Sequence, residues 1–241
     1  MPLRELGVVA LYEAGSAVRR WELWLPYAFS ATLGLFMVSR GFDAFGGAAA
    51  ERFFVLGWIP FSTVTAASLG TITVVLGLSH QSLRYWLSLP LSVRQVVAVK
   101  LVMGVTMGLL VAAATLVFAA VWILRSAALI SLETALVLLL LTFATSGLLA
   151  ALSILVRDIT KMSILTILIS AILQYVSSVY VPLESLAPWV RALVLANPVT
   201  LASEVLRTGE AALLAALAAE AAGLFVAGVY LLARRVRTQL E

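Results

Sequence analysis

Six stretches of this 241-residue chain are apolar, nearly free of charge and about as long as a bilayer's hydrocarbon core requires. They run over residues 23–39, 53–79, 99–124, 132–156, 162–181 and 211–233. The core is about 30 Å thick and a helix rises about 1.5 Å per residue, so roughly twenty such residues cross it. The 53–79 stretch is longer and can cross at a tilt. Charged residues make up 12% of the chain and hydrophobic ones 63%, with a mean hydropathy of +1.09. A soluble domain carries about twice that charge. The sequence therefore predicts an all-α polytopic membrane protein with six transmembrane helices. It forms a single domain, 1–241, with no sizeable soluble part.

Lys and Arg fix the predicted orientation. With both termini inside, eleven of the sixteen basic residues are cytoplasmic, and five (Arg40, Arg52, Arg125, Arg191 and Arg207) lie outside. Arg234-Arg235-Val236-Arg237 then begins a basic cytoplasmic tail, 234–241. The net charge of +4 reads as contact with anionic headgroups, since the basic residues gather at span ends; no nucleic-acid partner is expected. Ahead of the six-span bundle, 23–233, residues 1–22 read as an amphipathic interfacial helix. Leu3, Leu6, Val9, Ala10, Ala17, Val18 and Trp21 can share one face, with Arg4, Glu5, Arg19, Arg20 and Glu22 on the other. No cleavable signal peptide is expected.

Chemistry is bounded by what the chain lacks. Without cysteine, and with His80 as its single histidine, it offers no thiolate or histidine metal cluster. It has no GxxxxGK[ST], HExxH or GxSxG motif, so no catalytic role is expected of it.

Two polar segments stand out. The first runs from Ser82 to Gln95, mixing Arg84, Trp86, Leu87 and Arg94, with Pro90-Leu91-Ser92 placed to start a second short helix. Tryptophan and arginine there suit a protein contact or a headgroup anchor equally. The second is 182–210. Pro182 ends the fifth span, Pro188 opens a short helix with Trp189, and Asn197-Pro198 caps and opens another that reaches about Arg207 and stops near Gly209. Glu204 and Arg207 stand three apart and can pair. Both helices are too apolar for a hydrated loop and too short to span. They are expected to be two short re-entrant outer helices between spans 5 and 6, forming either an outer gate or an apolar cap.

These residues carry a resemblance. Ser177-Ser178-Val179-Tyr180-Val181-Pro182-Leu183-Glu184-Ser185-Leu186-Ala187-Pro188-Trp189, then Asn197-Pro198-Val199-Thr200 and Glu204-Val205-Leu206-Arg207, resemble the signature before the last span of ABC-2 type transporter membrane subunits, in their drug and lipid exporter branch. Leu89-Pro90-Leu91-Ser92 with Lys100 is similar to that family's coupling segment. Ser178 stands where many members have glycine, and His80-Gln81 where an acidic residue is common.

The resemblance implies an ATP-driven export permease in a prokaryotic cell (inner) membrane, its cargo a drug or a lipid. Its partners would be a nucleotide-binding ATPase subunit, a second permease copy or paralogue, and membrane lipid. ATP and Mg would bind the ATPase; this chain would hold no cofactor. Arg84, Trp86, Leu87, Pro90, Leu91, Ser92 and Arg94 would couple to the ATPase. Pro182, Leu183, Pro188, Trp189, Asn197, Pro198, Glu204 and Arg207 would form the outer gate. Ser62, Thr65, Gln174, Tyr175 and Ser178 would line the substrate path, although small hydroxyls also serve as helix-packing glue. Glu220 is an acid inside the last span, read as a proton or cation contact or as a groove-facing residue. The alternatives are a lipid-linked glycan exporter permease and an ATP-independent secondary transporter.

Overall fold

The computed structural model describes residues 3–78, 91–156 and 159–238, and these form helices and turns with no strand among them. The helices are α1 (Leu3–Arg19), α2 (Trp21–Gly77), α3 (Val93–Phe118), α4 (Leu132–Leu152), α5 (Ile159–Tyr175), α6 (Pro188–Leu195), α7 (Pro198–Thr208) and α8 (Ala211–Thr238). Four are long and apolar enough to cross a bilayer: Trp21–Val75, Val93–Ile123, Leu132–Leu155 and Ala211–Thr238.

The first two expected spans lie within α2. Its 57 residues would extend about 85 Å if straight, far beyond any bilayer. Instead the helix breaks at Gly47, with φ 68° and ψ −171°, a conformation open essentially to glycine alone. Trp58 Nε1 donates to Ala31 O at 3.0 Å, and the Phe42 and Phe54 rings stack at 4.5 Å. The arms 21–46 and 48–77 therefore lie side by side as a hairpin. The expected connection at 40–52 is almost all helical because its charges and alanines suit a helix; only the glycine turn interrupts it.

Three other boundaries move. α3 begins at Val93, before the expected 99, because Ser92 and Gln95 form a capping box: Ser92 Oγ accepts from Gln95 N at 3.3 Å and Gln95 Oε1 from Ser92 N at 2.9 Å. Ser92 therefore caps the long third helix and does not start a separate short one. α5 stops at Tyr175, six residues short of the expected end. α8 continues through Thr238, so most of the basic tail is its last turns, where cations suit the helix dipole.

Small residues set the packing. A Cβ on Gly147 would lie 2.5 Å from the Leu224 carbonyl, and one on Gly228 would lie 2.3 Å from Gly147 O, so α4 and α8 meet backbone to backbone. The leading helix α1 packs on α3 through Leu6, Glu13 and Ala17. Val18 and Trp21, expected on its apolar face, are instead exposed: the helical turn carries Val18 away from that contact, and Trp21 lies past the break at Arg20 as the first residue of α2.

Candidate functional site

The chain from α5 to α8 is tied together by polar groups in otherwise apolar surroundings. α5 ends at Tyr175 because its last carbonyls find side-chain donors in place of further helix. Asn197 Nδ2 donates to Leu173 O at 2.9 Å and to Val176 O at 2.6 Å, while its Oδ1 accepts from Val199 N at 2.9 Å. One amide thus closes α5 and opens α7, satisfying orphan groups of both helix ends. Pro188 and Pro198 each fill a first helical turn, where a missing N–H is harmless. α6 and α7 meet at 98°, a broken span or a re-entrant loop by shape. Gly209, at φ 67°, stops α7.

Arg207 is the hub. Its Nη1 donates to Glu204 Oε1 at 2.7 Å and to Ser178 O at 2.9 Å. Its Nη2 donates to Phe53 O at 2.9 Å and Val179 O at 3.3 Å. The guanidinium carbon lies 3.5 Å from the centre of the Phe53 ring. Glu204, 7% exposed, also accepts from Ser178 Oγ at 2.7 Å, and Thr200 Oγ1 accepts from Ser178 N at 3.2 Å. This one cluster locks α7 and the 176–182 turn to the start of α2's second arm. Gly57 makes room for it: a Cβ there would sit 2.7 Å from Arg207 Nη2 and 3.0 Å from Val179 Cα.

A second set of bonds joins α5 to the same arm. Gln174 Nε2 donates to Phe61 O at 3.1 Å and to Thr65 Oγ1, and Ser170 Oγ donates to Ser68 Oγ at 2.8 Å. Beside them runs a row of rings: Phe54 and Trp58 at 5.3 Å, Trp58 and Phe61 at 4.7 Å, and Tyr175 and Tyr180 at 6.2 Å.

The expected gate residues divide. Asn197, Pro198, Glu204 and Arg207 come together as described. Leu183 is buried, while Trp189 stands 73% exposed, away from the cluster. Of the expected path residues, Ser62, Gln174 and Ser178 are buried with partners inside the chain, Thr65 is half-buried, and Tyr175 is 67% exposed. Of the residues expected to couple to an ATPase, Arg84, Trp86, Leu87 and Pro90 lie outside the described residues. Leu91 is buried in the core that holds α1, and Arg94 sits over the Tyr230 ring at 5.2 Å. Glu220 is half-buried on α8, with no hydrogen bond or ion pair among the described residues. Phe53 and Gly57 carry no expectation from the sequence, and Thr200 stands in the Asn197–Thr200 signature run without an expected role. The i, i+4 spacing of Phe53 and Gly57 was the available signal.

The arrangement is a polar clasp that joins the helix breaks to α2. No curated protein matches the chain. A family model described as ABC-2 type transporter matches residues 5–211, from α1 through the Arg207 cluster to the start of α8. Domains of this kind are membrane transport components that work with an ATPase subunit. The chain belongs to the ABC-2 type transporter family, as a multi-pass membrane permease.

Proposed function

We propose that the chain is the permease of an exporter powered by a separate ATPase, moving a hydrophobic or amphipathic drug or lipid outward across a prokaryotic cell membrane. The family match over 5–211 is the observation that carries this reading. The two arms of α2, with α3, α4, α5 and α8, supply six crossings with both termini inside. α6 and α7 are then a re-entrant pair at the outer mouth.

Two permease copies, or this chain and a paralogue, enclose a path along α5 and the second arm of α2. Opening it requires these helices to part, and the Arg207 cluster and the Gln174 bonds are the contacts that would hold or release them. ATP and Mg bind the ATPases. Their closure pushes on α1 and on the 80–95 segment, where Arg84 and Arg94 pair with acidic groups and Trp86 and Leu87 fill a pocket.

The row of rings from Phe54 to Tyr180 supports a second cargo, a lipid-linked glycan, because sugars stack on aromatic faces and Tyr175 is exposed. Co-purification tests the first reading: a nucleotide-binding subunit should appear in stoichiometric amount. Inside-out vesicles bearing both proteins should take up cargo with ATP and not without it. Leu87→Asp should leave ATP hydrolysis running while uptake falls. Transport at full rate by the chain alone would overturn the reading and favour a secondary transporter.

A further inference from the structure

Between the first arm of α2 and the far end of α3 lies an open groove of about 440 Å³. Phe29, Leu33 and Phe36 form one wall, Phe118 and Trp122 the other; Phe118 is half-buried and the other four stand exposed. Arg40 and Arg125 close the end nearest the Gly47 turn. No acidic side chain lines the groove, and neither guanidinium is ion-paired among the described residues. Arg40 lies against the Phe36 ring at 5.5 Å.

Arg125 is placed at some cost. α3 is followed by one π-helical turn, Ala119–Ile123, closed by Leu124 N donating to Ala119 O at 2.9 Å; beyond it Ser126 N donates to Ala120 O at 2.9 Å. Arg125 then adopts φ 48°, the single positive value on a residue other than glycine among the described residues. π turns and left-handed backbone on non-glycine residues are both uncommon, and both are enriched at functional sites and ligand clamps. Here they bring a second cation to the groove that already holds Arg40.

The dimensions match a lipid. From Phe29 to Arg40 is eleven residues, about 16 Å along the helix, which is half of a core about 30 Å thick. The apolar walls thus cover one leaflet, and the arginines lie at its headgroup level. Arginine pairs well with phosphate oxygens.

We propose that this groove binds an anionic phospholipid, its acyl chain against Phe29, Leu33 and Phe118 and its phosphate between Arg40 and Arg125. A second copy of the chain is a poorer occupant. A two-fold interface that set groove against groove would gather four guanidinium groups with no carboxylate among them. The site lies apart from the proposed path along α5, and the inference needs only that the helices be membrane-embedded.

Native mass spectrometry of the purified chain tests it, with phosphatidylglycerol and phosphatidylcholine of matched acyl chains as probes. The wild type should retain phosphatidylglycerol about tenfold or more in preference, as two interfacial arginines would give. R40Q/R125Q should lose that preference. L33W, which fills the groove and keeps both charges, should lose retention of the lipid itself. A wild type without headgroup preference would overturn the proposal whatever the variants do. So would an R40Q/R125Q chain that keeps the preference. The chain has no cysteine, so L33C gives a clean cross-linking probe. Rapid L33C–L33C disulfide formation in membranes would show the groove covered by a second copy and would also overturn the proposal.

Discussion

Lys100 Nζ donates to Glu13 Oε1 at 2.8 Å, joining residues 87 positions apart in the chain. Glu13 is 3% exposed, so the amphipathic α1 presents a charge to the bundle on the very face it buries. The bond fastens α1 to α3 two turns after the Ser92 cap. Lys100→Ala should destabilise the chain by about 3 kcal/mol, since removing one partner strands a buried carboxylate. Exchanging the two residues, Glu13→Lys with Lys100→Glu, should recover part of the loss. Thermal unfolding in detergent measures both. Equal stability of Lys100→Ala and wild type would show that α1 is held by its apolar contacts alone.

Arg207→Lys keeps the charge and can keep the bond to Glu204. A single ammonium cannot also reach Phe53 O, Ser178 O and Val179 O, which the guanidinium fork serves together. Two or more buried carbonyls then lose a donor, at about 1–3 kcal/mol each. The loss should fall on the attachment of α7 to α2, not on the whole bundle. Hydrogen exchange should rise over 176–182 and 198–208 and stay unchanged over α4 and α8. Protection unchanged in the first two segments would mean that the clasp contributes nothing to their order.

Much of this clasp was legible locally. Asn197-Pro198 announces a capped helix start, Gly209 a stop, and Glu204 with Arg207 an ion pair, because each of these relations spans four residues or fewer. The partners that make it a clasp are remote: Phe53 is 154 positions from Arg207 and Ser178 is 29. No periodicity reports such distances. The hairpin within α2 was legible as two apolar runs. Its single-residue turn was not, since Gly46 and Gly47 look alike in sequence and only one takes φ 68°. The capping box at Ser92 was written in the sequence as Ser-Val-Arg-Gln. Pro90, which suits a first helical turn, points instead to a separate short helix at the same place. The burial of Glu13 has no local signal either: by pattern it is a polar residue, and only the Lys100 contact shows why it is inside.

Gly147 and Gly223 make a matched pair of tests for the α4–α8 contact. A Cβ on Gly147 would press on Leu224 and Phe225 backbone atoms, which cannot swing aside, whereas one on Gly223 meets nothing within 4 Å. Gly147→Ala should cost about 1–3 kcal/mol through forced separation of the helices. Gly223→Ala should be neutral or stabilise by up to about 1 kcal/mol through helix propensity. Melting temperatures of the two variants in the same detergent decide. A neutral Gly147→Ala would mean that α4 and α8 stand further apart than described.

Glu220 sits on α8, of whose most apolar stretch 17% is buried within the chain, the smallest share among the four candidate spans. A charged side chain left to lipid at mid-membrane costs about 2.5–3.5 kcal/mol on insertion scales. With no partner in this chain among the described residues, the carboxylate must find a second protein, water or a proton. Glu220→Gln should therefore insert as well as the wild type. ATP-driven transport by the assembled complex should fall several-fold and lose part of its dependence on pH. Glu220→Leu should insert better still and transport no better than Glu220→Gln, because relief of the insertion cost does not replace the lost group. If both variants transport at the wild-type rate with the wild-type pH profile, Glu220 only faces a wet groove, and the cost of placing it in the span is recovered there by hydration alone.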